Sequence, residues 1–260
     1  RLAARPLRAR GAPAAVGDDA GDAKWLASCA AKLDLDPRSI TTARIAKDLE
    51  AVRVALGVDV WNVAGISYGT RVALEYDRLY PGRARALVLD GPVPFSMMIG
   101  EHADADAEAA LADVDRRLLA AAPNRAPDEM PTAIAARLKR ALADQPRDVT
   151  LADPRTGKQR TLRIDGQALV AAIRGALYAE ETAALLPQIL EEAEHDNFTP
   201  LAAQIVLANQ LEESIAVPMQ LSVLCAEDVP FLPAKDAKAP GFFAGAFDDL
   251  TAFGAVLYAF

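Results

Sequence analysis

Apolar positions recur along this chain with two periods, and the switch between them marks the elements. Ile45, Leu49, Val52 and Leu56 fall three or four residues apart, which predicts a helix with one apolar stripe, capped by Thr41 or Thr42 and stopped at Gly57. Val58 to Ala64 is a short β-prone run. Beyond a glycine-flanked turn at 65–69, Val72, Tyr76 and Leu79 return to helical spacing over 70–80, before Pro81-Gly82 ends the pattern. Arg85-Ala86-Leu87-Val88-Leu89-Asp90 then reads as a parallel strand covered on both faces, closed by Gly91-Pro92. Helix, strand, turn, helix, strand is half of a doubly wound α/β sheet.

From Phe95 to Val217 the character changes to Ala, Leu, Glu and Arg, and 101–121, 132–142, 166–178, 180–195 and 200–214 read as helices. Val149-Thr150-Leu151 and Thr161-Leu162-Arg163-Ile164 flank a polar turn at Asp153-Pro154-Arg155-Thr156-Gly157 and predict a small hairpin. Leu221-Ser222-Val223-Leu224 resumes a β-prone pattern. The domain reading is therefore a disordered lead-in over 1–26, an α/β core over 27–95, an inserted helical cap over 96–216, and a return to the core over 217–260. The lead-in begins with a basic, small-residue-rich stretch, Arg1 to Arg10, which lacks the long apolar region of a signal peptide.

The 260 residues, 52% of them hydrophobic, are enough for a buried core. A net charge of -8 and the lack of a basic stripe argue against nucleic acid as a partner. No stretch reaches the roughly 18 consecutive apolar residues of a membrane span. No cofactor and no metal are expected. Two cysteines, Cys29 and Cys225, allow at most one disulfide.

The turn at 65–69 reads Gly65-Ile66-Ser67-Tyr68-Gly69, a G-x-S-x-G pentapeptide between a strand and a helix. Glycines two before and two after Ser67 would relieve the Cβ clashes of a sharp turn, leaving the serine on a strained backbone with its Oγ outward. Ser67 is the candidate nucleophile, and the backbone N–H of Tyr68, at the helix start, faces a developing oxyanion. A serine needs a base, and there are two histidines: His102, among acidic residues at a helix start, and His195, at the end of a charged helix face. Both read as surface residues. Asp90 reads as a turn residue after its strand rather than as a triad acid. Glu227 and Asp228 are candidates for holding a free α-ammonium group of a substrate by charge-assisted hydrogen bonds, with capping of a turn before Pro230 as the alternative.

Asp48-Leu49-Glu50 through Leu56-Gly57, Gly65-Ile66-Ser67-Tyr68-Gly69-Thr70-Arg71-Val72-Ala73, Tyr80-Pro81, Leu87-Val88-Leu89-Asp90-Gly91 and, far downstream, Leu224-Cys225-Ala226-Glu227-Asp228 together resemble the secreted tripeptidyl aminopeptidase and proline iminopeptidase-like α/β-hydrolases. The resemblance spans about residues 27 to 250. It implies a partial α/β-hydrolase sheet with an inserted helical cap limiting access to Ser67, and acyl transfer from peptides or small amides and esters, releasing N-terminal residues or short peptides. It also implies export, and cysteines that tend to pair. Such relatives carry their acid and histidine beyond the Cys-Ala-Glu-Asp block, and several strands before the serine. On that comparison the chain reads as a fragment lacking the first strands and the Asp/His segment, with exposed strand edges that favour association and weak activity alone. A lipase- or esterase-like hydrolase and a non-catalytic remnant are the alternatives.

Overall fold

A computed structural model of the chain describes residues 36–154, 156–212, 216–232 and 241–244; the expected lead-in over 1–26 and Cys29 lie outside the described residues. The described residues divide into two compact units, one within 110–210 and the other formed by 36–109 with the described residues beyond 210.

In the second of these, α1 (Thr42–Ala55) leads to β1 (Trp61–Ile66), α2 (Tyr68–Leu79) and β2 (Ala84–Asp90). The strands pair in parallel, in register from Asn62 opposite Ala86 to Ile66 opposite Asp90, so β1–α2–β2 is a βαβ unit. Helix α2 packs on both strands and on α1. Its buried residues include Thr70, Arg71, Val72, Ala73 and Tyr76, and the Tyr76 ring lies 5.7 Å from that of Trp61.

Two expectations are corrected in this unit. Among the described residues β1 and β2 form a sheet of two strands, and its burial alternates instead of covering both faces: Ala64, Ile66, Ala86 and Val88 stand on the exposed side. The α1 stripe is also rotated. Val52 and Leu56 are 50% and 66% exposed, whereas Thr42, Ala46 and Arg53 are buried. The reason is polar. The Arg53 guanidinium turns inward to bind Glu50 Oε1 at 2.7 Å and the carbonyls of Val58 and Asp59, so it closes the end of the helix.

The third correction concerns Leu221-Ser222-Val223-Leu224, which is helical. It lies inside α9 (Val217–Glu227), with Leu221 through Cys225 all buried. A short apolar run enclosed on nearly every side has no amphipathic period, and only its length separates a buried helix from a strand. Cys225 is a free thiol in this helix, and burial pushes its pKa up to about 11.

Helix α3 (Ala103–Ala121) carries the chain into the other unit. There α4 (Pro131–Asp144) is followed by β3 (Arg147–Ala152) and β4 (Gln159–Ile164), an antiparallel hairpin as expected, with Thr150 and Thr161 hydroxyls 2.8 Å apart across it. Asp165 caps α5 (Gly166–Ala176), its Oδ1 accepting from Gln167 N and Ala168 N at 3.0 and 2.9 Å. The expected helix over 180–195 is broken into α6 (Glu180–Ala183) and α7 (Leu186–Glu194), because Pro187 lacks the N–H that a continuous helix would need there. Helix α8 (Thr199–Glu212) follows. Ile134, Leu142, Ile164, Ile173, Leu190 and Leu201 are buried at the core of this unit.

Candidate active site

The turn between β1 and α2 is built by close approach. A Cβ on Gly65 would lie 2.3 Å from the carbonyl oxygen of Gly69 and 2.8 Å from Thr70 N, so only glycine lets the strand end pass the helix start. Gly69 itself has open space where its Cβ would be. The steric need sits on one side of the serine, not on both as the spacing suggested.

Between them Ser67 takes φ 52° and ψ -124°, a conformation that non-glycine residues rarely adopt. Such backbone costs on the order of 1–3 kcal/mol and persists only where its surroundings hold it. Here they do. Ser67 N–H donates to the Asp90 carbonyl at 2.9 Å, extending the pairing of β1 with β2 by one residue. The Ser67 carbonyl accepts from Thr70 N at 2.9 Å and from Thr70 Oγ1 at 2.6 Å. The same threonine hydroxyl accepts from Val93 N at 2.8 Å, in the loop after β2. Tyr68 is the first residue of α2, where a backbone N–H has no partner within the helix.

Behind this turn, two side-chain clusters join α2 to the C-terminal end of α9. Arg71 Nη1 meets Asp228 Oδ1 and Oδ2, Arg71 Nη2 donates to the Met97 carbonyl at 2.5 Å, and Ile99 N donates to Asp228 Oδ1 at 2.9 Å. Beside it, Glu227 Oε1 accepts from Thr42 N at 2.6 Å, Glu227 Oε2 accepts from Thr42 Oγ1 at 2.5 Å, and Thr42 Oγ1 is 2.8 Å from the Tyr68 hydroxyl. Burial holds the Tyr68 phenol above its ordinary pKa. The carboxylates of Glu227 and Asp228 thus lie one residue apart in different surroundings: Asp228 is fully buried against a guanidinium, and Glu227 is half-buried at the start of α1.

The remaining candidates have local contacts. Asp90 ends β2 with its side chain exposed, and its carbonyl is what touches the serine turn. His102 precedes α3, largely exposed, with Nε2 3.9 Å from Glu101 Oε2. His195 follows α7 in the helical unit, with Nδ1 2.7 Å from the Glu191 carbonyl. Among the described residues no group of three or more His, Cys, Asp or Glu is arranged to hold a metal ion, and no helix is long and apolar enough to cross a membrane. Thr42, Thr70 and Arg71 are the site neighbours that sequence reasoning passed over. The signal for Arg71 was present: an arginine directly before Val72-Ala73 on the buried face of a helix needs a buried anion.

The family profile of the alpha/beta hydrolase fold matches residues 25–213. The chain belongs to the α/β-hydrolase fold family. Over 54 residues it is 48% identical to serine protease Hip1 of Mycobacterium tuberculosis, covering 21% of this chain and 10% of that protein. It is 43% identical over 58 residues to a probable proline iminopeptidase of Streptomyces coelicolor, covering 22% of this chain and 18% of the relative. It is 41% identical over 54 residues to the tripeptidyl aminopeptidase of Streptomyces lividans, covering 21% and 10%. The matched stretch is thus a minor part of each relative's length.

Proposed function

We propose that the chain is a serine hydrolase of the aminopeptidase type, with Ser67 as nucleophile on a nucleophile elbow. The observation that carries the reading is the backbone of Ser67, positive in φ between β1 and α2, in a turn that only Gly65 permits. In the reaction, Ser67 Oγ attacks the scissile carbonyl carbon while a general base accepts its proton. The oxyanion that forms is held by the Tyr68 N–H. The C–N bond then breaks with the proton delivered to the leaving amine, and water releases the acyl group by the same steps in reverse order.

The substrate class rests on the names of the partial relatives and on Glu227. Each of its two carboxylate oxygens accepts one hydrogen bond from Thr42 and retains further acceptor capacity. A substrate ammonium group could take up that capacity, with Asp228 supporting it as the buried partner of Arg71. On the same reading the helical unit is the inserted cap domain of the hydrolase.

The test is fluorophosphonate labelling of the purified, folded chain with the modified residue mapped by mass spectrometry, alongside turnover of aminoacyl amides and of N-blocked esters. Labelling at Ser67 that vanishes in Ser67→Ala, with preference for free-amine substrates, supports the proposal. Equal turnover of N-blocked esters redirects it to an esterase. Absence of labelling at Ser67 removes it. His102→Ala and His195→Ala, assayed in parallel, identify whether either imidazole accepts the serine proton.

A further inference from the structure

We infer that Thr42 is a positioning residue for the Ser67–Tyr68 turn, acting through a directional hydrogen-bond relay; this rests on the reading of Ser67 as nucleophile and Tyr68 N–H as oxyanion donor. Thr42 is buried, and its hydroxyl lies between two oxygens, 2.5 Å from Glu227 Oε2 and 2.8 Å from the Tyr68 hydroxyl. An ionised carboxylate accepts only, and a threonine hydroxyl has one hydrogen. That hydrogen therefore goes to Glu227. The lone pair left on Thr42 Oγ1 accepts from Tyr68, and the order is fixed: the Tyr68 O–H donates to Thr42, and the Thr42 O–H donates to Glu227.

The carboxylate at the end of the relay is itself pinned. Its other oxygen takes the backbone N–H of Thr42, in the first turn of α1, where the helix end favours negative charge. Tyr68 is thereby held at both ends. Its backbone starts α2 beside the strained serine, and the far end of its ring is tied to the start of α1. With that phenol fixed, the residue whose N–H opens α2 carries a restraint beyond those of its own backbone. Without it, the ring is free to rotate, and the first residue of α2 loses a restraint from outside its own helix.

The relay separates positioning from fold support, because Tyr68→Phe deletes one link while leaving Thr42 bound to Glu227. The experiment measures saturable fluorophosphonate inactivation of the full chain, resolving the inactivation rate from the affinity, in Thr42→Val, Thr42→Ser, Tyr68→Phe and the Thr42→Val/Tyr68→Phe double variant. Loss of an oxyanion donor outright costs about 100- to 1,000-fold, so its misalignment is expected to slow inactivation about tenfold. The expected result is that loss in Thr42→Val, with unchanged affinity, recovery to within about twofold of wild type in Thr42→Ser, an equal loss in Tyr68→Phe, and no additional loss in the double variant.

Inactivation of Thr42→Val at the wild-type rate overturns the inference, as do additive effects in the double variant. A second measurement keeps it independent of the nucleophile reading. If wild-type Ser67 is not labelled, that reading fails, and the relay is judged by the 15N amide and 13Cζ resonances of Tyr68, assigned through Tyr68→Phe. Displacement of both in Thr42→Val retains the positioning role. Unchanged resonances remove it.

Discussion

Asp228 Oδ1 and Oδ2 lie 2.9 and 3.0 Å from Arg71 Nη1, with the two side chains 0% and 3% exposed, and this buried pair fastens the end of α9 to the helix that starts beside Ser67. Breaking such a pair by removing one partner leaves a charge stranded in a place without water, a cost of about 3–5 kcal/mol. Asp228→Ala is expected to lose stability on that scale in urea unfolding. Replacing both residues together, Arg71→Met with Asp228→Leu, should cost less than the sum of the single changes. A loss below about 1 kcal/mol in Asp228→Ala would contradict the role given to the pair.

Glu50 sets an acid limb. Hydrogen bonds from Arg53, aided by the Tyr76 hydroxyl at 2.8 Å, lower its pKa from 4.5 to about 2. The folded value is below the unfolded one, so the unfolded chain takes up the proton first, and the stabilisation is complete above about 4.5. It is lost as pH falls through the folded value near 2. Thermal unfolding followed between these limits should show the midpoint dropping with pH, and Glu50→Gln should flatten that part of the curve. A variant with the same slope as wild type would assign the acid limb to other carboxylates.

Gly65 and Gly69 are expected to respond oppositely to alanine. The new methyl at 65 meets backbone 2.3 Å away and forces a shift, for about 1–3 kcal/mol or more of destabilisation. At 69 the methyl enters open space in the first turn of a helix, where alanine is favoured over glycine by up to about 1 kcal/mol. Equal losses at both positions, read from urea midpoints, would show that the turn is not limited by the contact at Gly65.

Ser67→Gly should raise the unfolding midpoint. Glycine adopts the positive φ of this position freely, releasing about 1–3 kcal/mol of strain against about 0.5–1 kcal/mol of added chain entropy. Ser67→Ala keeps the Cβ and should gain nothing from this source. Calorimetry of the two variants side by side decides it, and a midpoint for Ser67→Gly at or below that of Ser67→Ala would mean that the backbone is not strained.

Cys225 is expected to resist thiol reagents in the folded chain. It is buried within α9, and its thiolate forms only near pH 11. Maleimide labelling at pH 7.5 with peptide mapping should modify Cys225 on denaturation and leave it intact beforehand. Rapid modification under native conditions would indicate that α9 opens readily.

The elements near the serine were legible because their signals are local. The glycine-flanked pentapeptide, the β-prone run before it and the helical spacing after it all lie within some thirty consecutive residues, as do the two arms of the β3–β4 hairpin. What failed had its cause elsewhere in the chain. The Leu221–Leu224 segment is enclosed on nearly every side and therefore shows no helical period. The α1 stripe was displaced by a polar need, since Arg53 is drawn inward by Glu50 and two carbonyls. The partners of Glu227 and Asp228, Thr42 and Arg71, precede them by 185 and 157 positions, and no spacing rule in one sequence links residues that far apart. The spacing suggests a steric duty for Gly69 by symmetry with Gly65, and the strand and helix around Ser67 are not symmetric.

The hydroxyl of Thr70 donates to the Ser67 carbonyl and accepts from the Val93 amide, so the serine turn and the loop after β2 share one atom. Opening either segment breaks a bond to the other. In native-state hydrogen exchange they behave as one opening unit, and the Val93 amide becomes a clock for the serine turn. Its exchange rate counts how often the strained backbone lets go, in a protein that need not be catalysing anything at the time.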